Sequence, residues 1–451
     1  MSGLPPGERQ PGGRRRGARR SHAQSILRDL RRAVAVRGRR LLQRGRSRVA
    51  PSRRHGRGSR RRRRGGLRSV RDMRGRLLWL TEHYPPGKGG MAVSCARLVR
   101  GLRKRGPVPV DLLALAGAGG PEVSERPADG GLDIWVRREK SPEVAPNLAW
   151  SVVRERHAAE PYRGVVAFGA SGAGLVAATF GSWLNAPCVV LVRGNDLDRD
   201  WFLPRRGAWV REALARAASI GAVSTEKAER IARLYPGKPV VWTPNGVDPR
   251  RWELLPADER QRDEIRRMLG ADSRRIVGLF GELKFKKRIP FWLEAVRDAG
   301  LLPRLGLVVA GQLDEDTSRI LDDPAIAPRS VRFPFLPQSE LPALYAACDF
   351  IALPSAFEGM PNVLLEAAAC GAVPLVSDAG AMRDVVEDGV TGFVFRAEDR
   401  DAAGEATRRA LESGNEDLAA MSAAVRAMIR ERFSPEREID VLTDLLRQAG
   451  V

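Results

Sequence analysis

Short apolar runs alternate with helical segments along most of the chain, and this alternation limits the folds that it can adopt. Arg76–Thr81 and Cys188–Val192 are apolar runs of strand length, and a loop and a helical segment follow each of them. The same order starts again at Ile276–Phe280, after a polar stretch from Asp248 to Arg275. Strands that alternate with helices form parallel sheets. The sequence therefore predicts an α/β protein with two doubly wound, Rossmann-like domains that face each other across a cleft.

The net charge of +23 lies almost entirely at the start of the chain. Residues 1–72 contain 25 arginines, no lysine and three acidic residues, whereas the remainder is close to neutral. Such a segment buries too little apolar surface to fold alone, so we expect a disordered extension. Three interpretations stay open: non-specific binding of nucleic acid or other polyanions, contact with anionic lipid, and a segment that is not translated because the chain starts at Met73.

The near-neutral remainder is long enough for two domains of ordinary size. We place the first at residues 73–248 and the second, with the C-terminal helices, at residues 249–451. The sequence contains neither an apolar run long enough for a transmembrane helix nor the pattern of a secretory signal. The four cysteines are far apart and form no C-x-x-C pair, which predicts free thiols in a reducing compartment. We therefore expect a cytoplasmic protein.

Two glutamates, Glu358 and Glu366, stand eight positions apart in the segment E-G-M-P-N-V-L-L-E. Pro361 suits the first turn of a helix, because its missing N–H has no partner there. A helix that opens at Met360 or Pro361 points its free N–H groups toward Glu358, and such groups favour an anion. Glu366 lies one turn into this helix, where it can reach hydroxyl groups beside the anion. The segment therefore predicts a site for a sugar linked to a nucleoside diphosphate.

This segment resembles the E-x7-E motif of retaining glycosyltransferases with the GT-B fold, most closely glycosyltransferase family 4 (glycosyl transferases group 1). Four further segments fit that family in order along the chain: Thr243–Asp248, Leu353–Ser355, Ala372–Ser377 and Asp388–Phe393. The resemblance covers residues 75–435. It implies that the first domain binds the acceptor and that the second binds the nucleotide sugar.

The same resemblance implies a reaction and its partners. A sugar would move, with retention, from a nucleotide-sugar donor of the UDP or GDP type to a saccharide or lipid-linked acceptor. The donor is a substrate, so we expect no cofactor. We expect no metal either, because basic side chains and helix termini neutralise the phosphates in this fold. A lipid-linked acceptor would place the cytoplasmic enzyme in peripheral contact with the inner face of the membrane.

The resemblance gives the two glutamates of the motif different roles. Glu366 would hold the ribose hydroxyls of the donor. Glu358 would be catalytic, because it would contact the sugar and support the positive charge that develops on it. The backbone beside Glu358 is expected to bind the donor as well, at Gly359, Met360, Pro361 and Asn362.

A basic loop, Gly281–Arg288, directly follows a predicted strand and would neutralise a diphosphate leaving group. The family pattern here is G-R-L…K-G, so the resemblance gives Lys287 the position of the family's lysine and a catalytic role. Glu282 stands where the family has arginine, and Arg288 where it has the second glycine. We expect Lys284 or Arg288 to supply the missing positive charge at the donor phosphates.

Two glycines at strand ends, Gly281 and Gly311, also match donor-binding positions of the family. Asp314–Asp316 superficially matches a D-x-D metal motif. Carboxylates are also favourable in the first turn of a helix, so we predict that these acids open a helix and hold no metal.

Two loops of the first half resemble the family's acceptor and phosphate loops. In Tyr84–Gly90, the glycines Gly89 and Gly90 would let the backbone approach a ligand closely. The second loop follows the strand Cys188–Val192, where much of the family has a histidine-containing motif. This chain has Arg193, Asn195 and Asp196 there, and we expect Asp196 or Asn195 to orient the acceptor or the transferred sugar, with Asp196 as a catalytic candidate.

Glu282 and the missing histidine keep a second hypothesis open. The body would then be a catalytically silent GT-B scaffold, and the arginine-rich arm would bind polyanions. A third hypothesis is hydrolysis or epimerisation of a sugar nucleotide on the same fold. A serine hydrolase is disfavoured, because no histidine follows Ser171 in the chain to complete a triad.

Overall fold

The computed structural model describes residues 75–87, 89–106, 108–116, 122–138, 144–271 and 274–451. The predicted disordered extension, residues 1–72, lies outside the described residues. Two sheets of mostly parallel strands, each covered by helices, make up the described part of the chain. Within that part, no helix is both long enough and apolar enough to cross a membrane.

The first sheet has eight strands. They are β1 (Arg76–Thr81), β2 (Val110–Ala116), β3 (Val123–Ala128), β4 (Gly131–Arg137), β5 (Tyr162–Phe168), β6 (Cys188–Val192), β7 (Ser219–Ala222) and β8 (Val240–Trp242). Their order is β3-β4-β2-β1-β5-β6-β7-β8, and β3 runs antiparallel to β4 at the edge. Because the order reverses around β1, the loops at the carboxyl ends of β1 and β5 open the crevice where such sheets bind ligands.

In the described part of the chain, five helices alternate with these strands: α1 (Gly90–Arg105), α2 (Val144–Ala159), α3 (Gly172–Leu184), α4 (Pro204–Arg216) and α5 (Thr225–Leu234). The sequence of α1 illustrates why these segments form helices. Its Cys95, Leu98, Val99 and Leu102 follow helical spacing and are buried together, while three basic residues in its last turn complement the helix dipole.

The second sheet has six parallel strands. They are β9 (Arg275–Leu283), β10 (Leu305–Leu313), β11 (Ser330–Phe333), β12 (Phe350–Leu353), β13 (Val373–Ser377) and β14 (Phe393–Phe395). Their order is β11-β10-β9-β12-β13-β14, which reverses around β9. The helices are α6 (Pro256–Leu269), α7 (Ile289–Asp298), α8 (Glu315–Leu321), α9 (Pro342–Ala347), α10 (Asn362–Cys370), α11 (Met382–Val385), α12 (Arg400–Glu412), α13 (Asn415–Arg432) and α14 (Pro435–Gln448). The two Rossmann-like domains predicted from the sequence are confirmed.

The last helix, α14, does not belong to the second domain. Its Ile439, Leu442 and Leu445 are buried in one apolar cluster with Leu77 and Trp79 of β1. The sequence-based domain boundaries place this helix in the second domain, residues 249–451, whereas in the structure α14 returns to cover the first sheet. Periodicity shows that a helix is amphipathic but does not show which sheet its apolar side covers.

Candidate active site

The carboxylate of Glu358 lies between two lysines of the basic loop. Its Oε1 is 2.7 Å from the Nζ of Lys287, and its Oε2 is 3.3 Å from the Nζ of Lys286. The hydroxyl of Ser355 donates to Oε1 at 3.3 Å. Burial alone would raise the pKa of Glu358, but the two lysines outweigh it and hold the pKa below its ordinary value. The structure thus brings two of the three predicted catalytic residues, Glu358 and Lys287, into direct contact.

The backbone after Glu358 lies against the first domain. Gly359 packs so closely on the carbonyl of Arg193 that an added Cβ would collide with its oxygen. The side-chain amide of Asn245 donates to the carbonyl of Met360 at 2.7 Å. Glycine is required at position 359 because the backbones of the two domains meet there.

The motif helix, α10, begins at Asn362, and Pro361 is its extended N-cap residue with φ −67° and ψ 124°. The helix therefore opens one residue later than the sequence indicated. The side-chain amide of Asn362 donates to the hydroxyl of Ser94 and to the carbonyl of Gly90, both at 3.1 Å. The side chain of Asn362 thus binds the start of α1, so its contribution to a donor site would come from its backbone.

Glu366 is buried on α10 and is held by two neutral groups. The amide of Gln338 donates to its Oε1 at 2.5 Å, and the hydroxyl of Tyr345 donates to its Oε2 at 3.1 Å. Burial raises the pKa of Glu366 to about 7, and the two hydrogen bonds offset only part of that rise. Glu358 and Glu366 therefore stand eight positions apart with pKa values shifted in opposite directions.

The raised pKa predicts that donor binding depends on pH through Glu366. If this residue holds ribose hydroxyls, its ionised form accepts two hydrogen bonds, so affinity for the nucleotide-sugar donor rises between about pH 6 and about pH 8. In the ligand-free protein, ionisation of the buried Glu366 is destabilising. The free energy of unfolding therefore falls as the pH rises from 4.5, the ordinary pKa of this group, to about 7.

Calorimetric titration checks the predicted rise in donor affinity. Glu366→Gln, which cannot titrate, is expected to lose the rise, and an unchanged pH profile in this variant would contradict the role.

Glu282 faces the other domain. Its Oε1 lies 3.6 Å from the place that a Cβ of Gly89 would occupy, so the two predicted loops meet across the cleft. Lys284 pairs with Glu282 through an Nζ–Oε2 distance of 2.9 Å. This pair is locally neutral, so Lys284 adds no net charge there while it is bound to Glu282. Lys286 and Lys287 remain as the cations beside Glu358.

Gly281 and Gly311 lie side by side on β9 and β10. Both have positive φ angles, 103° and 146°, which favour glycine. An added Cβ at Gly311 would collide with the carbonyl of Gly281, whereas one at Gly281 would meet no atom within 4 Å. Gly311 is therefore needed for the close strand contact, and the open side at Gly281 leaves room for a ligand.

Arg288 takes the conformation of the glycine that the family has at this position. Its φ is 54°, in the left-handed region. Its guanidinium pairs with Glu398 and lies over the rings of Phe285 and Phe291 at 5.4 and 5.5 Å. Arg288 is thus engaged away from Glu358, and the expectation that it supplies charge to the donor phosphates finds no support in this geometry.

We predict that Arg288→Gly changes stability by no more than about 1 kcal/mol, because relief of the left-handed strain offsets the lost contacts. The same variant is expected to keep nucleotide affinity within about twofold of the wild type, a difference of less than 1 kcal/mol. Urea denaturation and a UDP titration check both values. A tenfold loss of UDP affinity would show that Arg288 does reach the phosphates.

Asp196 binds backbone rather than open space. Its Oδ1 accepts from the N–H of Ala170 at 2.8 Å, and its Oδ2 accepts from the N–H groups of Arg193 and Gly194 at 3.0 and 3.2 Å. These bonds tie the loop after β5 to the loop after β6. The position fits a residue that holds the two loops in place, whereas the predicted catalytic role would require Asp196 to leave these partners. Asn195, two residues from Arg193 in the same loop, is half-buried.

The side chain of Arg193 is buried in the first domain. Its guanidinium donates to the carbonyl of Thr243 at 2.7 Å and to the side chain of Asn245, and it lies 3.8 Å from the carboxylate of Glu438 on α14. Burial lowers the pKa of Arg193 to about 10. Arg193 was predicted as a residue of the acceptor and phosphate loop, but only its backbone, which meets Gly359, lies at the domain contact.

The acids of the D-x-D segment open a helix, as expected. The side chain of Asp314 accepts from the N–H of Thr317 at 2.9 Å and caps α8, and Glu315 and Asp316 lie in its first turn. Among the residues that the structure describes, no group of three or more histidine, cysteine or acidic side chains could hold a metal ion.

Several residues of the site were not predicted from the sequence. They are Lys227, Gln338, Tyr345, Ser355 and Lys286. Two of them could have been found from the sequence: Lys286 lies in the basic loop, and Ser355 lies in the segment Leu353–Ser355 that fits the family. Lys227, Gln338 and Tyr345 are separated from the glutamates along the chain, so no spacing pattern marks them.

Two protein-family models match the chain, and together they span most of it. Residues 88–251 match the model described as Glycosyltransferase Family 4, and residues 261–428 match the model described as Glycosyl transferases group 1. The chain is a GT-B glycosyltransferase that resembles family 4. The resemblance stated from the motifs is confirmed, as is the expectation that the protein is a transferase.

Curated relatives agree with this family, and solved structures agree with the fold. The chain is 26% identical over 354 residues to alpha-maltose-1-phosphate synthase of Mycolicibacterium smegmatis, which covers 72% of this chain and 86% of the relative. It is 31% identical over 198 residues to D-inositol 3-phosphate glycosyltransferase of Actinosynnema mirum, covering 41% and 46%. In fold it is similar to HepE of Anabaena in complex with UDP and glucose (TM-score 0.66, 19% identity, covering 83% and 99%). It is also similar in fold to sucrose-phosphate synthase of Thermosynechococcus elongatus (TM-score 0.69, 19% identity, covering 83% and 99%).

Proposed function

We propose that this glycosyltransferase moves a sugar from a nucleoside diphosphate sugar to a hydroxyl of a saccharide or lipid-linked acceptor, with retention and without a metal. The observation that carries the proposal is the pair Glu358 and Glu366. Glu358, in the loop before α10, is ionised between two lysines. Glu366, on α10, is buried among neutral hydrogen-bond donors and has a raised pKa. Carboxylates with such different surroundings are suited to different tasks.

The residues divide the proposed chemistry between them. Glu366 holds the ribose, and Lys286 and Lys287 turn from Glu358 to the diphosphate as the donor binds. The bond from the anomeric carbon to the phosphate oxygen breaks while the acceptor oxygen bonds to that carbon on the same face. The departing phosphate oxygen takes the acceptor's proton. Glu358 then lies beside the positive charge that develops on the sugar, where its negative charge is stabilising.

A uridine nucleotide is the first candidate for the donor. The neighbour HepE binds UDP and glucose, and GDP remains the alternative from the family. No cofactor is proposed, since the nucleotide sugar is itself a substrate. Two relatives are named alpha-maltose-1-phosphate synthase and D-inositol 3-phosphate glycosyltransferase. Both names contain a hydroxyl-bearing compound, which supports a hydroxyl-bearing acceptor for this protein.

The test uses the full chain. Melting temperatures are measured with UDP, GDP and ADP, and release of the nucleotide from the matching glucose or mannose donor is followed with and without acceptor sugars. One nucleotide is expected to raise the melting temperature of the wild type but not of Glu366→Ala. Nucleotide release that needs an acceptor supports transfer, and release without one supports the hydrolase hypothesis.

A silent scaffold remains the second candidate, because Glu282 occupies the family's arginine position and pairs with Lys284. In that case no nucleotide would raise the melting temperature, and Glu282→Arg would restore binding. The polyanion-binding arm of this hypothesis lies outside the described residues. Salt-sensitive binding of nucleic acid without any sugar transfer would favour it.

We also propose a cytoplasmic location with contact at the inner face of the membrane, as a lipid-linked acceptor requires. An exposed apolar turn supports this contact. Phe202 is 71% exposed and Leu203 is 40% exposed, immediately before α4. Arg205 and Arg211 lie over the rings of Trp209 and Trp201 at 4.9 and 5.5 Å. Aromatic rings beside arginines are typical of surfaces that meet anionic lipid.

A label at position 202 checks this contact independently of the arginine-rich extension. All four native cysteines are buried, so Phe202→Cys can be labelled selectively with a polarity-sensitive fluorophore. Vesicles that contain phosphatidylglycerol are expected to shift its emission to the blue, whereas pure phosphatidylcholine vesicles are not. Val390→Cys, at another exposed apolar residue in the second domain, is the matched control. Equal shifts at both positions, or none at 202, would contradict a contact through this turn.

A further inference from the structure

We propose that Lys227 is a positioning residue through which the first domain holds the Glu358 loop in its working geometry. The inference rests on the proposed function, in which Glu358 acts on the donor sugar. Lys227 touches neither the carboxylate of Glu358 nor the basic loop. It binds the peptide carbonyl of Glu358 from across the domain contact, with an Nζ–O distance of 2.9 Å.

The ammonium group of Lys227 is itself held by its own domain. It forms an ion pair with Asp198 at 2.7 Å, and Asp198 also pairs with Arg230 at 3.1 Å. The hydroxyl of Ser224 caps α5 by accepting from the N–H of Lys227 at 3.1 Å. Only 1% of Lys227 is exposed. A buried ammonium with fixed partners is a rigid hydrogen-bond donor, and a charged donor bonds a carbonyl more strongly than a neutral one does.

The other end of this contact is the loop that carries Glu358. On one side, Gly380 packs so closely that an added Cβ would collide with the carbonyl of Glu358. On the other side, Gly359 lies against the backbone of Arg193. The N–H of Ala381 donates to the carbonyl of Gly359 at 2.9 Å. The loop is thus enclosed by its own domain and by the first domain together.

Each domain holds a different part of Glu358. The lysines of the second domain hold the carboxylate, and Lys227 of the first domain holds the carbonyl. When the two domains separate, the bond from Lys227 is lost while the carboxylate contacts stay. The orientation of Glu358 is therefore coupled to closure of the cleft, and the site is complete only when the domains are together.

A second contact between the domains provides a matched control. The N–H of Thr225, two residues before Lys227, donates to Asp384 of α11 at 3.0 Å, and its hydroxyl contacts the same carboxylate. This contact joins the same helix, α5, to the second domain but does not touch the Glu358 loop. Asp384→Asn therefore weakens the domain contact in general, whereas Lys227→Met removes the bond to the Glu358 carbonyl.

The first test needs no substrate. Hydrogen–deuterium exchange of the full-length wild type, Lys227→Met and Asp384→Asn is compared in the peptide that spans residues 355–365. Lys227→Met is expected to speed exchange in this peptide by about tenfold, as the loss of one charge-assisted bond implies, while Asp384→Asn leaves it within about twofold. Arg230 still pairs with Asp198 in Lys227→Met, so we expect the variant to fold. If Lys227→Met does not fold, Lys227→Gln, which keeps a neutral hydrogen-bond donor, is used in its place.

The second test uses UDP-glucose and the best acceptor. Lys227→Met is expected to lower kcat by about 10- to 100-fold with little change in KM for the donor, because a displaced catalytic group costs rate rather than binding. Lys227→Arg is expected to recover part of kcat, and Asp384→Asn to affect it less. Equal exchange in the wild type and Lys227→Met, or equal losses of kcat in Lys227→Met and Asp384→Asn, would overturn the inference. A wild type that transfers no sugar would instead count against the proposed function, and the exchange measurement would still decide the role of Lys227.

Discussion

Turnover of a Glu358→Gln variant is expected to fall by about 100- to 1,000-fold while the affinity for the nucleotide stays close to that of the wild type. Glutamine keeps the shape and the hydrogen bond from Ser355 but removes the negative charge that Lys286 and Lys287 now hold. That charge is proposed to act on the sugar in the transition state, so its loss appears in kcat. Steady-state kinetics with the donor identified by the melting experiment, together with a nucleotide titration, measure the two quantities.

Glu398→Gln is the control for this result. It removes a carboxylate that pairs with Arg288 of the same basic loop without touching Glu358. We expect its kcat to stay within about threefold of the wild type, because half-exposed ion pairs contribute little. If Glu358→Gln instead raised KM for the donor and kept kcat, Glu358 would bind the ground state, and the proposed catalytic role would fail.

Loss of Glu438 is expected to lower the free energy of unfolding by about 3–5 kcal/mol, the cost of leaving the buried charge of Arg193 without its acidic partner. The Oε2 of Glu438 is 2.6 Å from the Nε of Arg97, and its Oε1 is 2.9 Å from a terminal nitrogen of the same guanidinium. Arg193 lies 3.8 Å away on the other side and is 4% exposed. Glu438→Ala therefore leaves two cations facing each other at the contact between α14 and the first sheet. Urea denaturation measures the change.

Asp440→Ala supplies the comparison for Glu438→Ala, since Asp440 lies two residues further along the same helix. Its ion pair with Arg105 is exposed at both ends, with an N–O distance of 3.1 Å. We expect this variant to lose less than about 1 kcal/mol. Similar losses in both variants would mean that the charge network of Glu438 adds nothing beyond a surface ion pair.

The sequence predicted the strands of this protein well, because buried parallel strands are short apolar runs. The bounds of β1 and β6 agree with the predicted runs Arg76–Thr81 and Cys188–Val192. Helix α6 was hidden in the polar stretch after Asp248, because buried Asp258 and Gln261 stand at two of its four inward positions. Strand β3 was missed because it is a half-exposed edge strand with charged residues and a proline.

At the site, too, the sequence predicted features that lie within one segment but not the contacts between segments. The eight-residue spacing of Glu358 and Glu366, and the position of Lys287 after β9, could be recognised because they lie within single segments. The acidic partners of the loop's basic side chains could not be predicted from the sequence. Lys284 is bound to Glu282 and Arg288 to Glu398, while Lys286, which was not singled out, contacts Glu358. Side-chain partners depend on distances in space, and a run of cations does not show which acids lie nearby.

By itself, the sequence determined the class of fold, the two parallel sheets and the family of the enzyme, because local apolar periodicity and short motifs are properties of neighbouring residues. Only the tertiary structure decided that α14 completes the first domain, that Arg193 is buried against it, and that Lys227 reaches the carbonyl of Glu358. The physical reason is separation along the chain: Lys227 and Glu358 are 131 positions apart, and Arg97 and Glu438 are 341 apart. Such pairs form only when segments far apart in the chain pack together in the folded protein, and no pattern of neighbouring residues marks them.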